Sequence, residues 1–576
     1  MIGPLEMRNY LPPNFDIRTK SVLIGALLLL LVFFVQGILF IRANSQTVDE
    51  AVHLAAGYSY LATRDFRLDS EHPPLTTELQ ALPLFLFYRL PFDPDPQNWR
   101  DGNSYLIGRD FLYKSAVSAD QILTLSRLPN LFLGSILILF VGWWAFCLWG
   151  SHAAILAMTL ACFEPNLVAH SSLVTNDLGV TLFVFLAMYF LWEYVNSPTW
   201  VLLAATGICT GMALLSKFSA LLLLPIISIV TLILLLSSGR PLLLPLNNNA
   251  NQRRYKFLES TAALFVILFF ASLTIPPVYF FQGFERWLSG LQLILGIAQE
   301  GRPAFFLGQY SYQGWWNYFV VVFLIKTPLG TLALIFASIA LHKFGSLLRW
   351  REFVFLLAPV IVFFVVTSQS KVAIGLRYIL PVYPFLLVLA SRLATVRFQR
   401  RWLTLVLVGA PLVFIAISSL RIAPHHLAYF NEFVGGPDQG YRYLSDSNLD
   451  WGQDLKGIKL YMEKEKLPII YLSYFGTAPP SYYGIRYQYV PGSWPLEWPP
   501  PADKVPATAS RKILAISVYN LQDVSTADYP LFRWLWTRNP IAKIGYSIFI
   551  YDLTDDREGL TKLEESYAKA GLRSPP

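Results

Sequence analysis

Residues Thr47 to Pro74 read TVDEAVHLAAGYSYLATRDFRLDSEHPP, and they follow an apolar run, Ser21 to Ile41, that is long enough to cross a bilayer. Asp49 and Glu50 therefore sit within a turn or two of a membrane surface. A second polar pair, Glu71 and His72, stands just before Pro73 and Pro74. Between the pairs, Ala51, Leu54, Ala55, Tyr58 and Leu61 recur at helical spacing, which predicts an amphipathic helix lying on the membrane as a lid with its polar ends free. An Asp ahead of an apolar-periodic run is also a good N-cap, so these residues alone leave a capping role and a chemical role open for Asp49.

Composition narrows the class. A chain of 576 residues with 55% hydrophobic and 14% charged residues lies outside the range of soluble proteins and reads as a polytopic membrane protein. The net charge of +8 and pI near 9.1 would suit nucleic acid, but the basic residues cluster in short loops between apolar runs, as membrane topology requires. Nucleic-acid binding is discarded on that ground. Cys147, Cys162 and Cys209 lie in or beside apolar runs and read as small buried hydrophobes, not as a disulfide framework. The first run is longer than a signal-peptide core and lacks a small-x-small cleavage site, which makes it an uncleaved anchor.

Apolar runs predict spans near 21–41, 127–149, 152–169, 178–195, 199–215, 219–236, 258–281, 317–341, 353–368, 378–394 and 402–420, about eleven in all. With the N-terminus inside, the cytoplasmic segments carry Arg8, Arg18, Lys20, Arg240, Arg253, Arg254, Lys256, Lys343, Arg349, Arg351, Arg392, Arg397, Arg400 and Arg401 against Glu6, Asp16 and Glu352. That asymmetry places the loop 42–126 and everything after Leu420 outside the cytoplasm. The expected organisation is a transmembrane domain, 1–420, followed by an extracytoplasmic α/β domain, 421–576. The latter is read from short apolar runs, 469–474, 513–518 and 546–551, and a one-faced helix over 450–466 that Ser447, Asn448 or Asp450 would cap. The Pro-rich 491–506 is expected to be irregular, and 555–576 a loose helix and tail. Asp446, Asn448, Asp450, Gly452 and Asp454 alternate like a calcium loop, but the Gly is one place late and the closing Glu is missing.

On this topology Asp177 in SSLVTND, Lys217 in LLSKFSA and Arg377 in KVAIGLRYILP emerge on the same side as Asp49 and Glu71. Each has an ordinary reading alone, as a cap, a snorkelling side chain or a lipid contact. Together, carboxylates and cations at one membrane face describe a site for something part lipid and part anion.

These residues also carry a resemblance. A first span, then DE, a helix, E-H-P-P-L, a T-N-D turn and a later S-K turn are similar to the membrane-embedded C-type (GT-C) glycosyltransferases. Within them the chain most resembles the protein O-mannosyltransferase and lipid A aminoarabinose transferase superfamily, over roughly the first 400 residues. The resemblance implies a sugar donor on a polyprenyl phosphate, a catalytic carboxylate at Asp49 with Glu50 beside it, and further active-site residues at Glu71, His72, Asp177 and Lys217. The aminoarabinose enzymes hold a metal with a Glu and a later His, which makes Glu71 the residue available for a divalent cation. This chain has no His between His170 and His342, so Glu71 and one imidazole fall short of a closed ligand set. No cofactor is certain from the sequence. Gln282 to Gln313 is too short for the extra β-domain of the eukaryotic mannosyltransferases, which fits a bacterial-type inner-membrane enzyme of the cell envelope with a different acceptor.

The chemistry can be stated from the substrate. A sugar on a phosphodiester already has a good leaving group, so one base suffices, and Asp49 is chosen to deprotonate an acceptor hydroxyl in a single inverting displacement. His72, Lys217 and Arg377 are the expected donor-phosphate binders, because charge grows on the phosphate as the bond breaks. Tyr310, Tyr312, Trp315 and Trp316 read as an interfacial belt or as walls of the sugar and acceptor pocket. The alternative is a transporter of lipid-linked sugars or other envelope substrates, which would place its ionisable groups near the midplane.

Overall fold

The computed structural model describes residues 17–237, 253–282, 284–341, 350–396, 400–493 and 503–572. Glu6, Arg8, Asp16, Arg240, Lys343, Arg349 and Arg397, which entered the charge-asymmetry argument, lie outside these residues, as does 494–502 of the Pro-rich segment. Among the described residues, seven helices are long and apolar enough to cross a membrane: Ser21–Ala43, Ala119–Trp149, Asp177–Asn196, Phe218–Leu236, Lys256–Val278, Trp350–Thr367 and Trp402–Ile422. The chain is thus a multi-pass helical membrane protein. Taken as one span, the pair Tyr318–Lys326 and Leu329–Ala340, bent by 111°, makes an eighth.

The expected spans near 152–169, 199–215 and 378–394 are shorter apolar helices, Ser151–Cys162, Trp200–Ser216 and Val382–Thr395. Hydropathy registers how apolar a run is but not where its helix stops. The first of these runs is cut where Phe163 leaves helical geometry and Pro165 restarts a separate six-residue helix. The bend near 327 has a similar local cause. Thr327 precedes Pro328 and is extended, at φ −95° and ψ 135°, as a residue before proline prefers. The broken turn is sealed by Asn431, whose Nδ2 donates to Leu324 O (2.7 Å) and Thr327 O (2.9 Å) and whose amide donates to Ile325 O (2.9 Å). Non-helical backbone inside a bundle is tolerated only where such groups satisfy it.

The Glu50–Thr63 helix is not a lid on the membrane. Glu50, Ala51 and the whole run His53 to Tyr60 are buried. The helix is buried on more than the one face that Ala51, Leu54, Ala55, Tyr58 and Leu61 define, and its small residues allow close helix packing. A Cβ on Gly57 would stand 2.1 Å from the carbonyl oxygen of Thr77, so the Leu75–Phe87 helix reaches this distance only because residue 57 is glycine. At the bundle's centre lies Asp177–Asn196, buried over nearly its whole length, with Asp177 as its first residue.

Beyond the bundle, the short hairpin β1 (Ala304–Phe306) and β2 (Gln309–Ser311) follows the Phe284–Glu300 helix. A five-stranded sheet then forms from β3 (Ile470–Ser473), β4 (Tyr487–Tyr489), β5 (Ile513–Ser517), β6 (Ala542–Ile544) and β7 (Ile548–Asp552), in the order β4-β3-β5-β7-β6. β3 pairs parallel to β4 and β5, while β7 pairs antiparallel to β5 and β6. All five residues of β5 are buried, as an apolar strand covered on both faces should be. Ile513 and Ala515 pack with Leu455, Ile458 and Met462 of the Leu455–Lys464 helix, and Leu514 and Ile516 join the cluster that contains Leu563 of the Arg557–Lys569 helix. The 455–464 helix begins after Asp454, which makes no side-chain cap bond, and Asn448 and Asp450 are engaged elsewhere.

Candidate active site

The charged residues singled out in the sequence gather at one end of the bundle as a chain of ion pairs. Arg377 Nη1 lies 3.1 Å from Asp49 Oδ2. Lys217 Nζ lies 2.5 Å from Asp177 Oδ1, and Glu71 Oε2 lies 3.2 Å from Arg302 Nη2. Lys217 and Arg377 both sit over the ring of Tyr378, at 4.7 and 5.7 Å from its centroid, which puts the two cations on one aromatic platform.

Asp49 occupies the N-cap position of the Glu50–Thr63 helix but makes no side-chain cap hydrogen bond. Its carboxylate is directed at Arg377 instead, which favours the chemical role over the capping one. Burial pushes this carboxyl up, but the Arg377 guanidinium, with the His53 and His72 imidazoles behind it, outweighs burial and holds it below the usual carboxylate range. It is therefore ionised at neutral pH.

Glu50 departs from the expectation of a catalytic residue. It is fully buried and its oxygens are taken up: Arg127 Nη2 at 2.6 Å and Nε at 2.8 Å, the Thr47 amide at 2.8 Å and the Val174 amide at 2.8 Å. Arg127 also donates to the carbonyls of Ile41, Asn44 and Ser45. The pair ties the end of the first span, the turn before Asp49 and the loop before Asp177 into one unit, and it leaves Glu50 no free lone pair facing a substrate. The only sequence signal for Arg127 was a cation at the lip of an apolar run.

His72 is also committed differently from the expectation. Its Nδ1 lies 2.9 Å from Asp69 Oδ1, while His53 Nδ1 lies 2.8 Å from Asp69 Oδ2, so one buried carboxylate holds two imidazoles. The rings meet edge to face, with centroids 4.8 Å apart. His53 and Asp69 were not anticipated from sequence. The Glu71-type metal set that the resemblance implies does not fit, since Glu71 pairs with Arg302 and both side chains are well exposed.

Two buried donors stand without partners beside these groups: Arg377 Nε, and Asn176 with both its amide oxygen and its amide nitrogen unpaired. Buried polar atoms are normally satisfied; of the unsatisfied ones, Arg377 Nε belongs to the guanidinium that holds Asp49, and Asn176 directly precedes Asp177. Asn176 is the middle residue of the T-N-D turn, which the sequence reading had used only for Asp177.

The segment 445–454 from the C-terminal region runs across this site. The Trp451 ring supports the Arg377 guanidinium at 4.4 Å, and its carbonyl accepts from the Val48 amide (2.9 Å). The Gln453 carbonyl accepts from the Ser45 amide (2.8 Å), Asn448 Oδ1 accepts from the Leu376 amide (3.0 Å) and Ser447 Oγ donates to Ile374 O (2.8 Å). One strap thus grips the residues before Asp49 and those before Arg377. Its calcium-like alternation has another purpose: Asp450 accepts from the Tyr519 and Gly452 amides, and Asp454 Oδ2 accepts from Ser547 Oγ (2.6 Å). Asp446 has left-handed backbone geometry (φ +55°), and burial pushes its carboxyl up to about 6 despite the lowering charge of Arg377.

Residues 25–285, a little under half of the chain, match the family model described as dolichyl-phosphate-mannose-protein mannosyltransferase. This stretch therefore carries a domain of a membrane glycosyltransferase family, and the resemblance read from the D-E and E-H-P-P elements is borne out over it. No curated protein matches the chain by sequence. Among solved structures, ArnT from Cupriavidus metallidurans in the apo state aligns with 14% identity and a TM-score of 0.49, covering 93% of this chain and 98% of that one. The same protein bound to undecaprenyl phosphate aligns with 14% identity and a TM-score of 0.48, covering 93% and 98%. The apo oligosaccharyltransferase of Archaeoglobus fulgidus aligns with 13% identity and a TM-score of 0.42, covering 70% and 57%.

Proposed function

We propose that the protein is a glycosyltransferase that moves a sugar from a polyprenyl-phosphate donor to an acceptor hydroxyl on the extracytoplasmic side of a bacterial-type inner membrane. The observation that carries this reading is the Asp49–Arg377 pair at one end of a transmembrane bundle, with Lys217 and the unpaired Arg377 Nε and Asn176 amide beside it. The family match over residues 25–285 supports the reaction class.

In this mechanism the donor's phosphodiester enters between Lys217, Asn176 and Arg377 and competes with Asp49 for the guanidinium. Asp49 then loses its strongest stabilising charge while still partly shielded from water, so its basicity rises as the donor binds. The acceptor hydroxyl gives its proton to Asp49 as its oxygen bonds to the anomeric carbon. The bond from that carbon to the phosphate oxygen breaks on the opposite side, inverting the centre and releasing polyprenyl phosphate. Negative charge grows on the leaving phosphate where Lys217 and Arg377 stand, so they stabilise the transition state more than the bound donor. Glu71 and its partner Arg302 lie at the exposed edge, where they would meet the acceptor. Orientation follows the charge asymmetry, with the N-terminus in the cytoplasm.

Purified full-length protein given lipid-linked sugars and envelope acceptors should release polyprenyl phosphate. Transfer from nucleotide sugars with no use of lipid-linked ones would reject the reading, and so would uptake of intact lipid-linked sugar without cleavage.

A further inference from the structure

Among the described residues, only one group brings three metal-ligating side chains together: His53, Asp69 and His72, whose ligand atoms all lie within 4.8 Å of one another. The chain builds it from two elements. His53 lies on the Glu50–Thr63 helix, one turn after Asp49. Asp69 and His72 come from the loop that follows, where the Asp69 amide donates to Tyr60 Oη (3.1 Å) and the His72 amide donates to Asp69 O (3.4 Å). Pro73 and Pro74 then lead directly into the Leu75–Phe87 helix, whose close packing at Gly57 fixes the far side of the loop.

Their environment differs from one member to the next. His53 and Asp69 are sealed in the protein, while His72 keeps 21% of its side chain exposed. His72 and Asp69 also line a small pocket with Tyr60, Ser70, Tyr279 and Arg286. Two buried ligands and one that opens onto a small pocket leave a side of the group that no further metal-ligating side chain closes. Two imidazole nitrogens and one carboxylate are the donor set of open, three-ligand sites for zinc and its neighbours. Calcium and magnesium, which ask for six or more oxygens, would find too few here.

We propose that His53, Asp69 and His72 form a binding site for a zinc-like divalent cation, in place of the Glu71-based site that the sequence suggested. The second imidazole, for which the sequence offers no His between His170 and His342, is supplied by His53 from the helix that follows Asp49. Glu71, adjacent in sequence to His72, is turned to Arg302 and takes no part.

The test uses full-length protein in detergent, stripped with a chelator, dialysed and reloaded with Zn²⁺ or Co²⁺. Elemental analysis should find about one ion per chain, and Co²⁺ should give the intense visible absorption of a low-coordinate nitrogen and oxygen site. His53→Gln, Asp69→Asn and His72→Gln should each abolish both signals, whereas Glu71→Gln should keep them. Should the buried variants fail to fold, the partly exposed His72→Gln carries the test, with its apo thermal transition compared with that of the apo wild type. Loss of metal in Glu71→Gln with retention in His72→Gln would overturn the assignment. So would wild-type protein that retains no ion after dialysis. Metal content is read without any transfer assay, so failure here is separable from failure of the proposed reaction.

Discussion

Arg377 Nη1 and Asp49 Oδ2, 328 positions apart in sequence, stand 3.1 Å from each other. The pair joins the turn after the first span to a short helical turn between two late helices, and the Trp451 ring lies against the same guanidinium from a third direction. A carboxylate held this way is ionised and pre-aimed, and an incoming anion can take over its partner.

The strap gives a prediction in which rate and stability are read side by side. Trp451→Ala removes the face that supports Arg377 but leaves the Asp49–Arg377 ion pair in place. Turnover per folded molecule should fall by roughly tenfold or more, and because the Trp451 ring is buried its truncation should also cost about 3–5 kcal/mol of stability, while Trp451→Phe should keep most of the rate and most of the stability. Rates that follow unfolding in both variants would make Trp451 a packing residue only.

Lys217→Ala and Asn176→Ala test the anion subsite. Both should weaken donor binding as well as turnover, because the diester is charged before and after reaction, with Lys217 the larger effect. Binding of a fluorescent polyprenyl-phosphate analogue reads this directly. Unchanged affinity in both would move the phosphate elsewhere.

Glu50→Gln should act on stability. It leaves Arg127 charged and fully buried beside a neutral amide, at a cost of about 3–5 kcal/mol. Reduced yield and a lowered melting temperature are expected, and a well-folded Glu50→Gln protein with a specific loss of turnover would restore Glu50 to the catalytic set.

Asp450 makes the C-terminal region sensitive to pH. Burial pushes its carboxyl up to about 8, with hydrogen bonds from the Tyr519 and Gly452 amides pulling the other way and the Asp454 charge adding to the rise. Between the unfolded value near 3.8 and about 8 the folded protein keeps a proton that the unfolded chain has lost, so stability falls as pH rises through that window. Asp450→Asn should flatten the dependence. A melting temperature of wild type that climbs between pH 5 and 8 would contradict the account.

The bundle and the sheet were legible because each rests on a local pattern: long apolar runs, and short apolar runs between turn residues. Span count was less so, since helix ends at Phe163 and at the 327–328 break depend on prolines and on partners such as Asn431 from far along the chain. Asp49, Lys217, Asp177 and Arg377 could be grouped because each interrupts an apolar context. Their pairings could not, because an acidic doublet such as Asp49-Glu50 looks symmetrical in sequence, while Arg127 takes one member and Arg377 the other. His53 was hidden inside a helical repeat, where a polar residue reads as a solvent-facing one.

The most direct measurement is a side-by-side determination of turnover and donor affinity in correctly inserted Asp49→Asn protein. Asn preserves the size and polarity of the side chain but cannot take a proton, so turnover from a polyprenyl-phosphate sugar should fall by roughly a hundredfold or more. Donor affinity should hold or improve, because Arg377 no longer has a competing carboxylate. Near-normal turnover in that variant would contradict the assignment of Asp49 as the base.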